Sequence, residues 1–103
     1  MPKVLVVTKG HHNYDQAKEF GDLMFISETP MNIFASSNLK FIIDEVIKNE
    51  YNIDDYLLLS GHLLPNSIAF HAILEKYGKV QTLAWIGNLN KYKVITVDDE
   101  AGK

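Results

Sequence analysis

The chain has 103 residues, 47% of them hydrophobic, a formal net charge of −3 and no cysteine. That is room for one globular domain, and it excludes a disordered chain, a disulfide framework, a thiolate nucleophile and a cysteine-ligated zinc site. All 10 basic residues are lysine; without arginine the usual bidentate contacts to guanine and phosphate are missing, so no specific nucleic-acid partner is expected. Arginine-free, lysine- and asparagine-rich usage matches translation of an AT-rich genome, that of a bacterium or its phage. No apolar run approaches the ~18 residues of a membrane span, and the N-terminus lacks the length and cleavage site of a secretory signal. A cytoplasmic location without a membrane partner is therefore expected.

Lys3 to Thr8 is a continuous β-branched run, as a strand buried on both faces requires. Asn13 as N-cap, Gln16 three residues later and Gly21 as terminator predict a short helix over Tyr14 to Phe20. Asp22 to Ser27 reads as a second buried strand, and Glu28 to Ser36, with Pro30, as a loop. Ser36 or Ser37 is then the cap of a helix to about Tyr51, with Leu39, Ile42, Ile43, Val46 and Ile47 as its core-facing stripe. Tyr56 to Ser60 is a third strand, and Pro65 to Tyr77 a third helix with Gly78 just past its end. Val80 to Ile86 and Tyr92 to Val97 are the last two strands, joined by Gly87 to Asn90 and antiparallel to each other.

The expected fold is α/β: a small doubly wound, mostly parallel sheet in the order 2-1-3-4, with strand 5 antiparallel at the edge and three helices. Residues 1–97 form the domain and 98–103 a polar C-terminal tail.

Open parallel sheets bind ligands beyond the C-terminal ends of their strands, where strand order reverses. Here that point lies between strands 1 and 3. The candidate ligand-binding residues are Lys9, Gly10, His11 and His12 after strand 1, and Ser60, Gly61, His62 and Asn66 after strand 3. Both loops run into helix N-termini, which suit anions. Neither carries G-x-G-x-x-G or a P-loop, and a lone glycine there is also an ordinary turn residue. The bland reading of His11 and His12 is two solvated loop residues. A metal site with His62 and Asp15 or Glu28 lacks any supporting spacing, so no metal and no cofactor is expected. His12 and His62 are the candidate acid or base of a hydrolase or lyase, but no G-x-S-x-G elbow surrounds Ser60. His71 is expected on the wet face of its helix, paired with Glu75.

Met31, Ile33, Phe34, Phe41, Leu63 and Leu64 are apolar residues in loops or off a helix stripe. They either cap the core or form an interface for a protein partner or a second copy of the chain. Strand 5, with Lys91 and Lys93, either pairs across a dimer or is kept apart by those lysines. The expectation is a small non-catalytic binding or regulatory module acting through a protein interface. The alternatives are a nucleotide or small-anion site between strands 1 and 3, and a small histidine-dependent hydrolase or lyase.

Overall fold

The computed structural model describes residues 2–8, 14–27, 38–60 and 63–98. Five strands form one sheet: β1 (Lys3–Thr8), β2 (Asp22–Ser27), β3 (Tyr56–Leu58), β4 (Lys79–Ile86) and β5 (Lys91–Asp98), in the order β2-β1-β3-β4-β5. β1 pairs in parallel with β2 and β3, β3 with β4 likewise, and β5 runs antiparallel to β4. Two α-helices, α1 (Leu39–Glu50) and α2 (Leu63–Tyr77), and two 3-10 helices complete the described residues.

β1 shows why the sheet holds. Val4 to Val7 are fully buried, and alternation sends them to opposite faces. Leu5 and Val7 meet Leu39, Ile43 and Ile47 of α1 and Ala69 and Ile73 of α2. Val4 and Val6 meet Tyr14 and Ala17, with Leu58, Leu83 and Tyr92 in the same cluster. Each such aliphatic side chain contributes roughly 1.5–3 kcal/mol by leaving water. Both α-helices thus cover one face, and a single short 3-10 helix covers part of the other.

The three expected helices are two. Over Tyr14 to Phe20 the chain forms only a 3-10 helix, Asp15–Glu19, and its N-cap residue makes no side-chain capping bond. Seven residues with few intrahelical bonds seldom sustain an α-helix, and the 3-10 form stacks positions three apart. Tyr14, Ala17 and Phe20 have that spacing, and all three pack on the sheet. Gly21 ends the segment because Pro2 lies against it: a β-carbon there would sit 2.1 Å from the Pro2 carbonyl oxygen. That carbonyl accepts the Asp22 N–H at 3.1 Å, which aligns β2 with β1.

Other boundaries also move. α1 begins at Leu39 behind Asn38, and the expected caps Ser36 and Ser37 lie outside the described residues. Ile42, expected in the core stripe, is exposed, while Leu39, Ile43 and Ile47 are buried. β3 stops at Leu58, so Leu59 and Ser60 leave the sheet. α2 starts at Leu63 rather than Pro65; a proline in a first turn costs nothing, because N–H groups there have no intrahelical acceptor. β5 extends through Asp98, which joins the sheet rather than a tail. No described helix is long and apolar enough to cross a membrane.

The amino ends of the strands are fastened by a polar cluster. The buried Asp55 carboxylate accepts the backbone N–H groups of Lys3 and Asn52, each at 2.8 Å, and the Lys3 ammonium lies 3.4 Å away. Tyr51 donates its hydroxyl to the Asp55 carbonyl, and Tyr77 donates to the Tyr51 carbonyl, both at 2.8 Å. Burial, followed by the nearby Asp55 charge, pushes the Tyr51 phenol well above its ordinary value. This end of the sheet is a structural staple.

Candidate functional site

At the opposite end the chain leaves β1 after Thr8 and is described again from Tyr14; it leaves β3 through Leu59 and Ser60 and is described again from Leu63. β1 and β3 are neighbours, with Val6 opposite Leu58, so both exits lie side by side. The Tyr14 hydroxyl and the Ser60 hydroxyl share a hydrogen bond of 3.0 Å. Asn66, buried in the first turns of α2, donates from its side-chain amide to the Ser60 carbonyl at 2.7 Å. Ser60 is therefore held by its side chain and its backbone, and among the described residues its hydroxyl partner is the Tyr14 phenol. Tyr14 also meets the Phe25 ring edge-on, with centroids 5.6 Å apart. Burial and then the neighbouring Tyr14 raise the Tyr92 phenol on the same face.

Of the sequence-derived ligand residues, the structure brings Ser60 and Asn66 together. Lys9, Gly10, His11, His12, Gly61 and His62 lie outside the described residues. Met31, Ile33 and Phe34, from the expected interface set, also lie outside them. Tyr14 was not singled out for the site by the sequence; its spacing of three from Ala17 and six from Phe20 is the signal that it faces the sheet. His71 sits on α2 with its Nε2 3.1 Å from Glu75, both side chains exposed.

The rim of this end is apolar. Leu63 is 82% exposed and Leu64 49%, both on the first turn of α2, and Leu59 is 48% exposed where the chain leaves β3. Parallel β-α units put the start of α1 at the same end, and its Phe41 is 66% exposed beside exposed Ile42. Trp85 and Leu89, at the carboxyl end of β4, are exposed as well. Leu59 was hidden within Leu57-Leu58-Leu59, a run that reads as wholly buried. Pro65 in the first turn of α2 lacks an N–H, which thins the donor set that an anion would need.

A groove of about 420 Å³ lies elsewhere, between the outer sides of α1 and α2. Several of its polar side chains are already engaged: Lys40 with Asp44, His71 with Glu75, and the Lys76 ammonium on the Lys48 carbonyl at 3.2 Å. Among the described residues no group of three or more histidine or acidic side chains is placed to hold a metal ion.

The sequence matches the family described as Phage Pam3 gp32-like protein over residues 2–99. The chain belongs to that family. The match spans every described strand and helix, from Lys3 to Asp98, and fits an origin in a phage. No curated protein and no solved structure matches the chain.

Proposed function

We propose that the chain is a small non-catalytic binding module of a phage, working through a protein interface at the carboxyl end of its sheet. The observation that carries this reading is Leu63 and Leu64 side by side and exposed at the start of α2. Two leucines in water at the place where α/β sheets present their ligands are an interaction surface in waiting. Leu59, Phe41 and Ile42 at the same end extend the apolar surface.

The Tyr14–Ser60 bond favours a second reading, a nucleotide or small-anion site between β1 and β3, because it joins the flanks of the two histidine-bearing loops. The apolar rim and Pro65 weigh against it. A histidine-dependent hydrolase has the least support, since Ser60 is engaged by Tyr14 and Asn66.

The test uses tagged wild-type chain and a Leu63→Asp/Leu64→Asp variant, each recovered from phage-infected cells. Equal melting temperatures establish that both are folded. The expected result is a protein co-purifying in fixed stoichiometry with wild type and absent from the variant. Identical recoveries overturn the reading. So does a thermal shift of roughly 10 °C with a nucleotide at about 100 times its Kd that disappears in His62→Ala.

A further inference from the structure

We draw no further inference here: the strongest candidate, the apolar surface patch on the β4–β5 hairpin where exposed Trp85 packs edge-on against Tyr92 with exposed Val94 on the same face of the sheet, is an unpartnered face, and nothing in the structure shows what covers it.

Discussion

Replacing Asp55 by alanine probes the polar staple at the amino end of the sheet. The carboxylate is 3% exposed and accepts two backbone N–H groups, from Lys3 and Asn52, at 2.8 Å each. Alanine leaves both donors without their acceptor, and each such loss costs about 1–3 kcal/mol at a buried site. The Lys3 ammonium at 3.4 Å is partly exposed and adds little, well under about 1 kcal/mol after solvent screening. The sum is about 3 kcal/mol, a large share of the roughly 5–15 kcal/mol that stabilises a domain of this kind. For about 100 residues that lowers the melting temperature by on the order of 15 °C. Asp55→Asn keeps one acceptor oxygen and should fall between wild type and alanine. Thermal unfolding followed by circular dichroism reads all three. A melting temperature for Asp55→Ala within about 2 °C of wild type would refute the reasoning, because it would mean that the two N–H groups find water as good a partner.

Gly21→Ala drives a β-carbon into the Pro2 carbonyl and should cost about 1–3 kcal/mol by denaturant titration. Gly78→Ala meets nothing within 4 Å, so only the left-handed backbone at φ +76° counts against it, about 1 kcal/mol. The Tyr51 phenol is raised in the fold, so its contribution is complete below the unfolded value near 10.0 and declines as pH rises beyond it. Melts at about pH 8 and pH 11 should therefore show a smaller alkaline loss of stability in Tyr51→Phe than in wild type. His71→Ala removes an exposed pair and should change stability by less than about 0.5 kcal/mol.

The alternation of period-two and period-3.6 segments made the α/β class legible, since strands divided by helical segments admit few other arrangements. α1 was legible for the same reason: Leu39, Ile43 and Ile47 recur at i and i+4 and are the residues that the structure buries. The 3-10 helix was not. Asn13, Gln16 and Gly21 carry the local chemistry of a capped α-helix, but capping acts on a helix long enough to propagate. In this segment packing decided, through the period-three set Tyr14, Ala17 and Phe20. The contact of Gly21 with Pro2 is a tertiary fact that no local pattern encodes.

The candidate site was legible as a place before it was legible as a surface. Connectivity alone put Ser60 and Asn66 at the carboxyl end of the sheet, but the Tyr14–Ser60 bond joins residues 46 apart in sequence and depends on how the chain returns from β1. The leucine rim turns on where α2 begins. Starting the helix at Pro65 leaves Leu63 and Leu64 as loop residues, equally free to cap the core or face water. Starting it at Leu63 puts them on the helix, and Pro65, Asn66, Ala69 and Ile73 then define its buried face. At about 100° per residue, Leu63 and Leu64 lie roughly 100° and 150° from the centre of that face, so neither side chain can reach the core. Phe41 stands off the face of α1 set by Leu39, Ile43 and Ile47 by the same reckoning. Helix phase, fixed by tertiary packing rather than by the residues themselves, is what turns three hydrophobic side chains from core material into exposed surface.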